Sequence, residues 1–359
     1  MSRTHQPSPT SPSGPRPDVQ TLAIIALCLV SAAAAWYLLQ QLVLLLRPLC
    51  LAIFLSYAFV PLYQRFREKV PGPASYAVMA LAVLLILGAI ALIVQASIVD
   101  LKDELPALLE RGRTMADKIE DYLKVHAPGF WAYIDIGEQQ ETSIIGKLKE
   151  WAYSLIDGLA NTLAEGVAVA VYLLFFMLES QRFRKRVQSA FPASQAEQFL
   201  NVLGRINDSI KRYVEAKVVA SIILAVPVTI LLWIFDVKFM LLWGILAFFC
   251  NFIPYLGSVI SISLPVLLSF LMKDNYWQPI TLTILLIGVH MASAYLLEPM
   301  MIGRAAGLSP LIVVASLVFW GHVWGLIGML LAVPLTAIVK IALENVEVTR
   351  PFARLLGED

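Results

Sequence analysis

Residues 297–341 read LEPMMIGRAAGLSPLIVVASLVFWGHVWGLIGMLLAVPLTAIVKI. Glu298 and Pro299 close one apolar run, and a connector of small residues from Gly303 to Pro310 carries Arg304. About 34 residues without an ionised side chain follow before Lys340. At about 1.5 Å rise per residue that run is roughly 50 Å long as a straight helix, against a bilayer core of roughly 30 Å. It also holds Gly321, Gly325, Gly328 and Pro334. One upright crossing is too short for it, so the expectation is a kinked, tilted or hairpinned segment.

Residues 239–272, FMLLWGILAFFCNFIPYLGSVISISLPVLLSFLM, behave the same way and break at Asn251 to Gly257. Pro254 removes a backbone donor and crowds the preceding turn. In lipid such a break survives only where it packs in protein or lines a wet cavity. Two Gly/Pro-interrupted apolar segments in one chain point to a transport site, and the two breaks are expected to lie close together. The bland alternative is a pair of ordinary kinked membrane helices.

Glu298, Pro299, Gly303, Arg304 and Gly307 to Leu311 make up E-P-x-x-x-G-R-x-x-G-L-S-P-L. Trp320, Gly321, Trp324, Gly325, Gly328 and Leu331 to Leu335, with Pro334 among them, follow as W-G-x-x-W-G-x-x-G-x-x-L-A-V-P-L. Together with the IPYLGS of Ile253 to Ser258, these runs resemble the marked motifs of the autoinducer-2 exporter family. The order of apolar runs is similar over roughly residues 20–345. The resemblance implies a transporter, without fixing its cargo. It also implies a homo-oligomer, with a pentamer among the forms it allows, and it marks both Glu298 and Arg304.

Composition agrees with a membrane protein. Of 359 residues, 59% are hydrophobic and 15% charged, more apolar surface than a soluble chain of this size needs. The net charge of +1 gives no footprint for nucleic acid. Cys28, Cys50 and Cys250 all fall in apolar runs, without metal-ligand spacing or a disulfide framework. No cofactor and no metal is expected.

Taken in order, residues 1–18 are rich in proline and serine and read as a disordered cytoplasmic tail. Residues 19–99 hold three spans, at 19–46, 48–63 and 74–99, with Arg47-Pro48 closing the first. The cluster Arg65, Arg67, Lys69 places the N-terminus inside. Residues 100–155 are an extracytoplasmic helical region, with seven Lys/Arg against eleven Asp/Glu between Asp100 and Glu150. There Leu101, Leu105, Leu108, Gly112, Met115, Ile119 and Tyr122 recur at alternating spacings of four and three, a coiled-coil-like seam. It packs either on its own protomer or on another. Pro128-Gly129 is expected to end it. Trp131, Tyr133 and Trp151 are candidates for the membrane interface.

Residues 156–178 form a fourth span, and 179–217 a cytoplasmic amphipathic helix with eight Lys/Arg against four Asp/Glu. Its apolar seam is Phe199, Leu203, Ile206, Ile210 and Tyr213. Residues 218–345 are the C-terminal membrane core that carries the motifs, and 346–359 a cytoplasmic tail. Each broken segment counted once, the chain is all-α and polytopic with about eight membrane segments, two of them broken or re-entrant. Both termini are then cytoplasmic, in the cell's inner membrane.

Ionisable groups inside lipid are costly and are candidates for function. Glu165 lies within the fourth span, and Glu165 and Glu298 are the candidate proton carriers. Glu298 and Arg304 either pair as a gate or anchor at the interface. Asn251, at the proline break, is the first choice for contact with a solute or ion. The transport pathway is assigned to Asn251, Pro254, Gly257, Glu298, Pro299, Gly303, Arg304, Gly325, Gly328 and Pro334. His290 and His322 are read as packing residues; Trp320 and Trp324 either line the pathway or anchor at an interface, the second being the simpler reading. No phosphate loop and no HExxH occurs. The chain therefore reads as a non-enzyme: a transporter of a small solute, in contact with membrane lipid and not with nucleic acid. The alternatives are a cation/proton antiporter and a non-transporting membrane scaffold.

Overall fold

The computed structural model describes residues 19–69, 74–127, 138–273, 275–302 and 307–357. The described residues form helices α1 (Val19–Gln41), α2 (Val43–Lys69), α3 (Ala74–His126), α4 (Glu138–Ala190), α5 (Ala193–Ile234), α6 (Met240–Cys250), α7 (Leu256–Met272) and α8 (Trp277–Ala292). A π-helical turn (Ser293–Leu297), α9 (Glu298–Ile302), α10 (Pro310–Glu344) and α11 (Arg350–Leu355) complete the order. The all-α polytopic fold is therefore established. Contacts divide the chain at residue 46. The N-terminal unit, α1 with the first turn of α2, exposes Leu27, Leu29, Val30, Tyr37 and Leu38. The unit that begins at Arg47 holds both broken segments and every motif quoted above.

The continuous spans are α3, α5, α8 running on to Met301, and residues Ile156–Met177 of α4. These helices are longer than the sequence suggests. α3 and α4 have 53 residues each, roughly 80 Å of helix. Residues 100–126 are thus not a separate element; α3 carries them without a break past Pro106. α5 likewise joins the basic amphipathic stretch to the span at 218–235. Arg47-Pro48 lies inside α2 rather than closing a span, because the break falls at Leu42. Pro128-Gly129, Trp131 and Tyr133 lie outside the described residues.

Each of the two broken segments is a helical hairpin. In the first, α6 and α7 fold back at Asn251–Tyr255. Ile253 N–H donates to the Cys250 carbonyl (2.8 Å) and Gly257 N–H to that of Ile253 (3.0 Å). A Cβ on Gly257 would overlap the Cys250 carbonyl oxygen, so the arms meet backbone to backbone. The base is closed by Lys273 on Asp236, 3.2 Å apart. The segment therefore starts and ends at the same end of the bundle.

In the second, α10 turns at Gly325, whose φ of 64° and ψ of −142° are not helical. Only glycine adopts that region cheaply. Trp320 Nε1 donates to Thr336 Oγ1 at 3.1 Å across the fold, a sequence separation that would be about 24 Å along a straight helix. Lys340 Nζ reaches the Gly307 carbonyl at the base, 2.5 Å away. Although α10 is long and apolar enough to cross as one helix, it does not. Trp320 thus ties the two arms together, and Trp324, 5.3 Å from it by ring centroid on the same arm, is buried rather than placed at an interface. The C-terminal residues also fold back, with Ser309 N–H donating to the Leu356 carbonyl (3.2 Å) and Ala353 buried.

α5 serves as a ruler for the two hairpins. Arg205 on its N-terminal half binds Glu344 of the second hairpin's base (2.8 Å). Lys238, just past its C-terminus, binds Glu104 of α3 (2.5 Å) beside the base of the first. The hairpins thus enter from opposite ends, and their tips converge. Phe252 and Ile253 of the first share one apolar cluster with Ile327, Leu330 and Leu331 of the second and Tyr213 and Val214 of α5. A separate cluster clasps the arms of the first: Leu224 and Val228 of α5, Trp243 and Ala247 of α6, Leu264 and Leu268 of α7, Leu282 and Leu286 of α8.

Close backbone approach at the tips is a falsifiable feature. Gly328, like Gly257, has no room for a methyl group, since a Cβ there would overlap the Trp320 carbonyl. Gly288 on α8 has nothing within 4 Å. Gly257→Ala and Gly328→Ala are expected to lose about 1–3 kcal/mol through overpacking. Gly288→Ala should be neutral or gain up to about 1 kcal/mol of helix propensity. Thermal unfolding in detergent measures all three, and equal behaviour of the three variants contradicts the hairpin geometry.

Candidate functional site

The apolar seam of the amphipathic stretch runs Phe199, Leu203, Ile206, Ile210, Tyr213. Continued by four residues it lands on Lys217, then on Ser221, Leu224, Val228 and Leu232. All of these from Ile210 onward are buried on one face of α5. Lys217 is 3% exposed and about 26 Å along the helix from Ile234.

An ammonium buried this deeply needs acceptors. Lys217 Nζ donates to Glu298 Oε1 (2.5 Å) and to the Asn251 carbonyl (2.9 Å). That carbonyl belongs to the C-cap of α6, one of the orphan acceptors left at every helix end and the negative pole of its dipole. Lys217 thus caps an 11-residue half-helix inside the protein. The Asn251 side chain turns the other way, donating from Nδ2 to Ser221 Oγ (3.0 Å). α5, the first hairpin tip and the α8–α9 segment meet at this one cluster.

Glu298 is aimed by a local widening of its helix. Pro299 lacks the N–H that would bond four residues back, and its ring crowds that carbonyl. The turn just before it, Ser293–Leu297, is π-helical, a common device at functional positions. The Glu298 side chain is about a third exposed (32%) whereas that of Lys217 is 4% exposed. Tyr213, one turn before Lys217, is buried, and neither its hydroxyl nor that of Ser293 has a partner among the described residues.

Of the expected residues, Asn251, Glu298 and Pro299 come together here, with Pro254 and Gly257 forming the same hairpin tip. Gly325 and Gly328 build the facing tip, and Pro334 is buried on its second arm. Gly303 and Arg304 lie outside the described residues, so the partner the structure gives Glu298 is Lys217. Glu165 is elsewhere, ion-paired with Arg47 of α2. His290 packs as expected, bonded to Ser261 Oγ (2.7 Å) and the Leu286 carbonyl (2.9 Å). Sequence reasoning missed Lys217, because it borders the apolar run at 218–235 and reads there as a basic anchor. The signal that finds it is the register of the seam.

A buried ion pair where two oppositely entering half-helix hairpins meet, inside a polytopic bundle, defines a membrane transporter. The chain belongs to the AI-2E family: the profile of the AI-2E family transporter matches residues 24–347. It is 28% identical over 314 residues to the AI-2 transport protein TqsA of Escherichia coli K12, covering 87% of this chain and 89% of that protein. It is 27% identical over 310 residues to the putative transport protein YhhT of the same organism (86% and 87%). A putative transport protein of Borreliella burgdorferi is 32% identical over 207 residues, 57% of this chain and 56% of that protein.

Breaking the pair tests its energetics. Glu298→Gln strands a buried ammonium, for which about 3–5 kcal/mol is the usual cost. Lys217→Met leaves a carboxylate that water reaches, and should cost less. The double variant should be less destabilised than the sum of the two, since neighbours that share a contact are non-additive. Stability of the two singles and the double checks this, and strict additivity would remove the pair from the site.

Proposed function

We propose that the protein moves a small solute across the cell's inner membrane through the space between the two hairpin tips, with no chemical step. The Lys217–Glu298 pair, Asn251, Pro254, Gly257, Gly325 and Gly328 form the gate. The observation that carries this reading is the burial of an ammonium against the end of a half-helix at the meeting point of three elements. Part of the pathway must re-pair when the tips separate, and a charge pair with a partly wet carboxylate is built to do so. The cargo named in TqsA, AI-2, is the first solute to try, in the export direction. Gly303 and Arg304, which follow Glu298 in the sequence, belong to the same proposed pathway.

The test is flux of labelled AI-2 in proteoliposomes. Lys217→Met and Glu298→Gln, each shown to be inserted and monodisperse, should slow flux by at least about tenfold, the loss of one hydrogen bond to a charged group. Wild-type rates in both would sink the assignment. A second reading, cation/proton antiport with Glu298 as carrier, is favoured by the ionisable character of the same pair. It predicts cation flux driven by a pH gradient without organic solute.

Sidedness follows from charge. Arg182, Arg184, Lys185 and Arg186 lie just beyond the membrane part of α4, and such clusters stay cytoplasmic. The second hairpin's base and the C-terminus then face the cytoplasm and the far half of α3 faces outward; a cytoplasmic N-terminus is proposed from Arg65, Arg67 and Lys69. A cysteine at position 121, in a background without native thiols, should react with an impermeant reagent in whole cells, and one at position 197 should not. The opposite pattern reverses the topology. That half of α3 also supports a homo-oligomer. Leu105 and Leu108 of its seam are buried, yet Ile119, Tyr122 and Val125 are exposed (51%, 62% and 73%), leaving an apolar face for another copy.

A further inference from the structure

A second polar feature lies outside the Lys217 site, on α4. Lys149, Glu150, Tyr153, Ser154, Asp157 and Asn161 recur at helical spacing, and all are exposed. With two glycines, Gly146 and Gly158, they line an open groove along α4. The next position on the same face is Glu165, ion-paired with Arg47 of α2. Glu165 Oε2 and Arg47 Nε are buried and have no hydrogen-bond partner among the described residues. Beyond Glu165 the same face carries Ala168, Val169 and Tyr172, so the polar file ends at the pair.

The file runs into the membrane. The apolar part of α4 begins at Ile156, which puts Asn161 about 7 Å and Glu165 about 14 Å inside it. Asp157 is only loosely held by Lys102, at 3.6 Å with side chains 66% and 44% exposed. In lipid the Asn161 side-chain amide would be left without hydrogen-bond partners, which is costly. A dry protein cover over Asn161 would have to bury the carboxylate of Asp157, one turn away, as well. We infer that this face of α4 is the wall of a water-filled vestibule, separate from the hairpin tips, that leads from the end of the bundle bearing Glu104 and Lys238 to the Arg47–Glu165 pair. Its occupants are water and small hydrated ions. The inference does not depend on which solute the Lys217 site takes.

Cysteine accessibility tests it in the full-length protein. In a background with Cys28, Cys50 and Cys250 replaced by alanine, single cysteines are placed at Ser154, Asn161 and Val167. Val167 is apolar, 71% exposed and lies in the same span. A charged, membrane-impermeant methanethiosulfonate reacts only with a hydrated thiolate. The cysteines at 154 and 161 should be modified more than about tenfold faster than the one at 167. They should also react from the same side as a cysteine at 121. Asp157→Cys stands in for Asn161→Cys if the latter is not recovered folded. Modification at 161 (or 157) as slow as at 167 overturns the vestibule, whatever the rate at 154. So does oxidative cross-linking of the cysteine at 161 between two copies with loss of labelling, which would show a dry contact between protomers.

Discussion

Everything in the C-terminal half depends on one constraint: a helix that stops inside a membrane protein leaves carbonyls without partners, and no lipid can supply them. α6 stops at Cys250 with its end inside the protein. Lys217 resolves this by donating to the Asn251 carbonyl, and Glu298 neutralises the ammonium that does so. The cap, the charge pair and the hairpin tip are one structure. Removing any member leaves another group buried and unsatisfied, so the elements that supply them, α5, α6 and α9, are tied together by polar bonds as well as by packing.

The second hairpin solves the same problem without a charge. Its turn is made by a glycine with non-helical angles, its arms touch at Gly328, and its fold is locked by an indole–hydroxyl bond from Trp320 to Thr336. Its base carries the charges instead, where Arg205, Glu344 and Lys340 gather. The first hairpin is thus charged at its tip as well as at its base, where Lys273 meets Asp236, and the second only at its base. The tips therefore differ: the first carries an ion pair and the second is apolar.

The long helices have a related origin. α3 and α4 extend far beyond the bilayer because nothing in their sequences stops them; Pro106 alone costs too little to end a helix packed against its neighbours. Where α4 enters its apolar part, Leu105 packs with Ile156 and Lys102 lies 3.6 Å from Asp157.

What the sequence determined by itself was the class of protein: apolar run lengths, the two Gly/Pro breaks and the basic clusters follow from transfer free energies that act residue by residue. Glycine and proline act through their own backbone, so Asn251 to Gly257 and Gly321 to Gly328 were legible as breaks, and Glu298 as a costly charge. Whether each break was a kink or a hairpin was decided only by tertiary structure, because the deciding contacts, Lys273 on Asp236 and Trp320 on Thr336, join residues far apart in the chain. The role of Lys217 was hidden for the same reason. A lysine at the edge of an apolar run looks alike whether it reaches water or turns inward, and only the arrival of Asn251 and Glu298 from two other helices makes the inward position affordable.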